Sequence, residues 1–305
     1  MARESAVGRV VGGRYRLVER LASGGFGYVW KAHDLALDVG VAVKEMRLPP
    51  GLPGAEHSER VARAVREARH AATLRDRPNI VAVHDVVTER GVPFMVMRLV
   101  TGESLAQRLA AGRPLPPAEA ETVARGLLTA LEAAHEAGIA HRDVKPSNVL
   151  IDASGEVLLT DFGIAVHETD ETLTAEGLLV GTPGFVPPER VRGAGGDPSA
   201  GDLFALGATL YQATEGVPPF GATPRSVLDD EPPAPRRAGH LEPLITLLLQ
   251  KDPGRRPTAA QSLAMLETLT VTRPVPRNAA GTQAVTALLA RTRTGAGRAG
   301  RLAAR

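Results

Sequence analysis

The 305-residue chain changes its hydrophobic period once, near Gly102, and that change restricts its fold more than any other feature. Before it the chain reads mostly as strands. Residues 14–22 alternate apolar and polar side chains and end in a glycine loop; residues 28–33 are β-branched and aromatic, and 39–46 and 93–100 are further apolar runs. One helix interrupts them, at 58–74, where apolar residues recur at helical spacing among Glu and Arg. A Pro/Gly loop at 48–54 precedes it. After Gly102 the pattern turns helical. Residues 117–137 are rich in Ala and Leu, with prolines at the start and Gly138 just past the end, and further helical patterns fall at 202–215, 241–249 and 258–269. There is no fixed-period repeat. The pattern predicts an α+β, two-lobed fold: a small β-rich lobe with one main helix, a hinge at about 97–102, and a larger, mainly helical lobe.

Composition narrows the chemistry. Hydrophobic residues at 43% and charged residues at 23% are ordinary for a globular chain. Cysteine is absent, which excludes a disulfide framework, a thiolate metal site and a cysteine nucleophile. The longest uncharged apolar run, 244–249, is too short to cross a bilayer, and the N-terminal MARESAVGRVVGG lacks the apolar core of a signal peptide. The expectation is a cytoplasmic chain without a transmembrane span, tethered to a membrane only if the native chain continues beyond Arg305. The net charge of +2 conceals an asymmetry: residues 271–305 hold seven Arg and no acidic residue, leaving 29 basic against 34 acidic residues before them. From residue 270 onward Pro, Gly, Thr and Arg dominate, as in a disordered tail or linker. Contact with anionic lipid or with nucleic acid are the other readings of that tail; composition favours the linker, and no nucleic acid is expected.

Three stretches carry chemistry. In LASGGFG, Leu21-Ala22-Ser23-Gly24-Gly25-Phe26-Gly27, Ala22 stands where a G-x-G-x-x-G loop has its first glycine. A dinucleotide-binding loop leads from a strand into a helix, whereas the YVWKAH that follows here reads as a strand. A strand–loop–strand hairpin lays backbone N–H groups over phosphates; an isolated loop of this kind is more often a plain surface hairpin. Next, Val41-Ala42-Val43-Lys44 ends an apolar strand with one of only four lysines in a chain holding 32 Arg. Lys44 either caps a strand in water or points into a cleft, and Glu67, midway along the early helix, is a candidate counterion. The plainer reading of Glu67 is an exposed charge beside Arg63 and Arg66. Third, His141-Arg142-Asp143-Val144-Lys145-Pro146-Ser147-Asn148 matches H-R-D-x-x-x-x-N without a gap, and Asp161-Phe162-Gly163 follows eighteen residues after Asp143.

In this order the motifs resemble the catalytic domain of eukaryotic-type (Hanks-type) serine/threonine protein kinases. High Arg and Ala content, with DVGVAVKEM and SGGFGYVW, looks like a bacterial, actinobacterial member. The resemblance runs over 15–269, with N-lobe 15–98 and C-lobe 103–269, an N-terminal extension at 1–14 and the basic tail at 270–305. It implies transfer of the γ-phosphoryl group of ATP to Ser/Thr hydroxyls of protein substrates, with Mg²⁺ (or Mn²⁺). Catalysis of that kind is mainly positioning and charge neutralisation. Lys44, held by Glu67, is then expected on the α/β-phosphates, Asn148 and Asp161 on the metal ions, Asp143 on the acceptor hydroxyl and Lys145 on the γ-phosphate. Residues 21–27 would cover the phosphates. Leu21, Val29, Ala42, Met97 and Leu150 would sandwich adenine, with the backbone of Arg98 and Val100 reading its edge. Gly181-Thr182-Pro183 to Pro187-Pro188-Glu189 resembles the end of an activation segment, with Pro187 in place of the usual Ala. Glu189 is expected to pair with Arg256, Thr182 to contact Asp143 and Lys145, and Asp202 to open the helix that anchors the catalytic loop. Arg142 beside Asp143 implies activation by phosphorylation, with Thr172 and Thr174 as the acceptor sites; ordinary solvated loop threonines are the alternative. Pairing through the N-lobe into a homodimer is known in the family. His141 is expected to pack beneath Phe162, and the other histidines show no metal-ligand spacing. The competing class is a pseudokinase acting as an ATP-binding scaffold; loss of Lys44, Asp143, Asn148 or Asp161 would favour it, and all four are present.

Overall fold

The computed structural model describes residues 7–24, 27–46, 54–162, 184–223 and 225–271. The N-lobe is a six-stranded antiparallel sheet in the order β1-β2-β3-β4-β6-β5. Its strands are β1 (Val10–Val11), β2 (Tyr15–Gly24), β3 (Gly27–Asp34), β4 (Val39–Met46), β5 (Val83–Glu89) and β6 (Val92–Arg98). In β4 a clean inward face and outward face do not alternate: residues 41–44 are all buried, because the sheet packs on both sides there. One side is an apolar cluster of Tyr15, Leu17, Trp30, Val41, Val43, Phe94 and Val96.

Two strands of the N-lobe escaped the sequence pattern, as did the three short strands past the hinge. β5 pairs with β6 through a tight turn in which Arg90 and Gly91 both have positive φ, 52° and 74°. That is the two-residue hairpin geometry whose twist matches the strands, but Arg-Gly is an uncommon way to write it. β1 lies inside the stretch expected to be an extension. It pairs with β2, and its neighbours reach the opposite edge of the sheet. Arg9 Nε and Nη2 donate to Glu89 Oε1 at 3.2 and 2.5 Å, Gly12 N donates to Glu89 Oε2 at 3.0 Å, and Tyr15 Oη donates to Asp85 at 2.7 Å. The sheet therefore curls until β1 and β5 meet, and residues 7–14 are part of the folded lobe.

Helix α1 (Gly54–Ala72) covers the sheet and buries Ala64, Ala68 and Ala71, an i, i+4, i+7 stripe of small residues that lets it sit close. Past the hinge, β7 (Gly102–Ser104) joins β8 (Val149–Asp152) and β9 (Val157–Leu159) in a small sheet. The Ser104 hydroxyl and the Gln107 side chain form a reciprocal cap on α2 (Leu105–Ala110). The C-lobe core is built on α3 (Pro117–Glu136), α4 (Pro188–Val191), α5 (Pro198–Glu215), α6 (Ser226–Asp229), α7 (Glu242–Leu248) and α8 (Ala259–Val271). Leu127, Leu128, Leu131, Phe204, Leu206, Leu210, Leu244, Ile245 and Leu248 are fully buried between them. Each such side chain contributes about 1.5–3 kcal/mol of apolar burial. The same core runs up into α1 through Ala68 and Ala71, continues in Leu74 just past its end and takes in Phe162, so the catalytic segments sit on continuous packing.

Candidate active site

The site grows from a loop that the chain's own chemistry makes awkward. Between the end of α3 and β8, Arg142 adopts φ +68°, a left-handed conformation that side chains with a Cβ disfavour. Asp202, buried within α5, holds it: its Oδ1 accepts the Arg142 N–H at 2.6 Å, and its Oδ2 accepts the His141 N–H at 2.8 Å and a ring contact from His135 Nε2 at 2.9 Å. From the other side Arg190 Nη1 donates to the Arg142 carbonyl at 3.0 Å. The buried His141 ring completes the scaffold. Asp143 N donates to its Nδ1 at 3.2 Å, its Nε2 lies 2.8 Å from the Thr160 carbonyl, and it packs against the Phe162 ring in a T-shaped arrangement with centroids 4.6 Å apart. A neutral ring with the proton on Nε2 satisfies both contacts. Asp202 does not open its helix, as the sequence had suggested: Asp197 is the N-cap and Pro198 the first residue, so Asp202 lies a turn inside with its carboxylate turned to the catalytic loop.

Asp143, Lys145 and Asn148 converge on this scaffold. Lys145 Nζ lies 2.8 Å from Asp143 Oδ2, and Asn148 Nδ2 donates to the Asp143 carbonyl at 2.8 Å and to Oδ2 at 3.1 Å. The 3-10 turn Pro146–Asn148 brings Asn148 back toward Asp143. Lys44 is buried on β4 and forms an ion pair with Asp161, Nζ to Oδ2 2.7 Å. The expected Lys44–Glu67 pair is not the one formed: Glu67 meets Arg63, one turn earlier on α1, with Nε to Oε1 3.4 Å. Arg63 and Glu67 are i, i+4 neighbours on one helix face, and Lys44 is instead taken by Asp161.

The apolar slot forms from both lobes. Ala42 and Met97 are buried in one cluster with Val29, Val100 and Leu150 packed against it. Leu21, 46% exposed, stands outside it at the mouth of the β2–β3 hairpin with Ala22 and Ser23. That hairpin is strand–loop–strand, with Gly24 opposite Gly27. Sequence reasoning missed Val81, Leu99 and Leu158, which join the slot, and Thr160, whose Oγ1 lies 3.8 Å from Met97 Sδ. It also missed His135 and Arg190. The only prior signal for these was proximity in sequence to the motifs, which says nothing about direction.

Glu189 and Arg256 meet as expected, in a two-pronged pair of 2.7 and 2.8 Å with the Arg256 side chain fully buried over the Phe204 ring. Gly25, Phe26, Gly163, Thr172, Thr174 and Thr182 lie outside the described residues. Asn148 and Asp161 offer hard oxygen donors of the kind that suit a divalent cation. The buried Lys44 ammonium suits a phosphate oxygen, so the residues fit a nucleotide with its metal.

The protein kinase domain family matches residues 15–266. Serine/threonine-protein kinase PrkC of Bacillus subtilis is 34% identical over 267 residues, covering 84% of this chain and 40% of its own length. A probable serine/threonine-protein kinase of Streptomyces coelicolor is 36% identical over 84% of this chain and 39% of its own. Serine/threonine-protein kinase PknB of Mycobacterium leprae is 37% identical over 83% and 42%. The chain thus spans about two fifths of the length of these curated relatives, two of which are actinobacterial. No helix among the described residues is long and apolar enough to cross a membrane. With its motifs, its two-lobed fold and this match over most of its length, the chain belongs to the protein kinase domain family.

Proposed function

We propose that the chain is a serine/threonine protein kinase that transfers the γ-phosphoryl group of Mg·ATP to hydroxyls of protein substrates and to itself. Use of ATP and a divalent metal comes with the family; Mg²⁺, with Mn²⁺ as a substitute, is part of the proposal. The observation that carries it is the convergence of Asp143, Lys145 and Asn148 within 3.1 Å in one loop.

In this reading the acceptor hydroxyl oxygen attacks the γ-phosphorus, the bond to the β-phosphate oxygen breaks, ADP leaves, and the hydroxyl proton passes to Asp143. Lys145, already at the Asp143 carboxylate, neutralises charge on the transferred group. Lys44 grips the α/β-phosphates. Asn148 and Asp161 hold the metal, which when bound neutralises charge on the phosphate oxygens. The pairing of Lys44 with Asp161 and of Glu67 with Arg63 describes an arrangement in which α1 has yet to deliver Glu67 to Lys44. Phosphorylation of Thr172 or Thr174, drawing on Arg142, would favour that delivery. A homodimer through the N-lobe belongs to the same reading; Leu35, Leu37 and Val39 are exposed there. Retention of Lys44, Asp143, Asn148 and Asp161 speaks against a scaffold without catalysis.

The test is incubation of wild type and Asp143→Asn with labelled Mg·ATP, followed by mapping of the modified residues. Removing the proton acceptor should lower incorporation by about a hundredfold or more while nucleotide still binds. The map should include Thr172 or Thr174. Comparable incorporation by Asp143→Asn would sink the assignment.

A further inference from the structure

Arg98 ends β6 at the start of the hinge, and its side chain leaves the N-lobe altogether. Nη2 lies 2.9 Å from Glu156 Oε2, in the β8–β9 turn of the C-lobe, and 3.7 Å from Oδ2 of Asp152, which ends β8. Its backbone stays in the N-lobe sheet, opposite Val41, with its N–H on the Ala82 carbonyl at 2.9 Å. One residue therefore holds both lobes.

The turn that receives it is built to be rigid. Asp152 Oδ1 accepts from Ser154 N at 2.8 Å, Ser154 Oγ at 2.6 Å and Glu156 N at 2.9 Å, and Gly155 takes φ +86°. The Ser154 hydroxyl first, and then the Glu156 N–H, hold the Asp152 carboxyl below the usual carboxylate range. The far end of the hinge lands on the same turn. Ala153 N donates to the Thr101 carbonyl at 3.0 Å, and Gly102 pairs with Asp152 so closely that a Cβ there would sit 2.1 Å from the Ile151 carbonyl oxygen. Residues 99–101 are thus strung between two anchors on one hairpin. That hairpin also carries Leu150 into the apolar slot and runs through β9 to Thr160 and Asp161.

We propose that the Arg98 side chain, fixed on Glu156 and Asp152, is a positioning element for the nucleotide: it sets the hinge backbone against the strand beneath the base. The proposal rests on the reading of residues 98–100 as the backbone that faces adenine. Arg98 and Glu156 are 42% and 39% exposed, which limits the pair to the modest strength of a solvated ion pair. Its effect on affinity is correspondingly about two- to fivefold.

Calorimetric titration of Mg·ADP onto wild type, Arg98→Ala, Glu156→Ala and the double variant separates the possibilities, with urea midpoints confirming that each is folded. The Kd should rise about two- to fivefold in each single variant. It should rise no further in the double variant than in Arg98→Ala, and the differences should shrink at about 0.5 M salt, where the Debye length falls to a few ångströms. Wild-type binding with an unchanged Kd in the single variants overturns the positioning role, as do additive effects in the double variant. Failure of wild type to bind Mg·ADP overturns the nucleotide reading itself, and the positioning role with it.

Discussion

Asp202→Asn tests the scaffold of the catalytic loop with the least change of shape. The carboxylate serves three donors: the Arg142 N–H on Oδ1, and the His141 N–H and the His135 ring on Oδ2. An asparagine keeps one acceptor oxygen and replaces the other with a donor. Turning the oxygen toward Oδ2 saves two contacts and sets the new NH₂ against the Arg142 N–H. A buried donor left without a partner costs about 1–3 kcal/mol, and the surviving bonds lose their ionic assistance, worth about 1 kcal/mol more. The total is about 2–4 kcal/mol on the same terms. Arg142 sits at φ +68°, so this N–H is what opposes relaxation of a strained backbone, and Asp143 is the next residue. Urea unfolding should show the stability loss. Steady-state phosphorylation of a model peptide should show kcat falling at least about tenfold, as expected if relaxation of even about 1.4 kcal/mol is charged to the transition state, with a smaller change in KM. A variant within about 0.5 kcal/mol of wild type and with full kcat would refute the reasoning, because such surface-like tolerance is incompatible with a three-donor anchor.

Gly102→Ala should destabilise by about 1–3 kcal/mol by overpacking, because its Cβ would meet the Ile151 carbonyl oxygen and the Asp152 Cα at 2.1 and 2.7 Å; chemical denaturation measures it, and a neutral result would contradict the close approach of β7 to β8. The Asp34 carboxyl is held down to about 2, first by its hydrogen bond to the Arg14 guanidinium and then by the Ala36 and Leu37 N–H groups. A depressed carboxyl contributes stability that is complete above its unfolded value, about 3.9, and is lost as pH falls through about 2. The stability gap between wild type and Asp34→Asn should therefore be constant above about pH 5 and close on acidification; a gap independent of pH down to the acid limit would argue against the pair.

How much of this was readable beforehand depended on distance along the chain. The segments 39–46, 58–74 and 117–137 announced themselves by period, and β4, α1 and α3 lie there within a few residues. β5 did not: VHDVVTE breaks its alternation at the bulge between Val83 and Asp85, and its turn is an unremarkable Arg-Gly. β1 is two residues long, too short to show a period; it pairs with β2, and Glu89, some eighty positions away, accepts from the flanking Arg9 and Gly12. The catalytic loop was legible as a set because its members fall within eight residues.

The sequence alone determined the inventory: a β-rich lobe before a helical one, an ungapped H-R-D-x-x-x-x-N, a lone lysine on an apolar strand and a glycine hairpin. These follow from local period and spacing, which the chain carries without folding. Tertiary structure decided the partners. It chose Asp161 over Glu67 for Lys44, turned Asp202 from a helix opening into the anchor of Arg142, added His135 and Arg190, and sent the Arg98 side chain across the hinge. Ion pairs and hydrogen bonds act over about 3 Å, and residues 60 or 117 positions apart reach that distance only once their elements have packed.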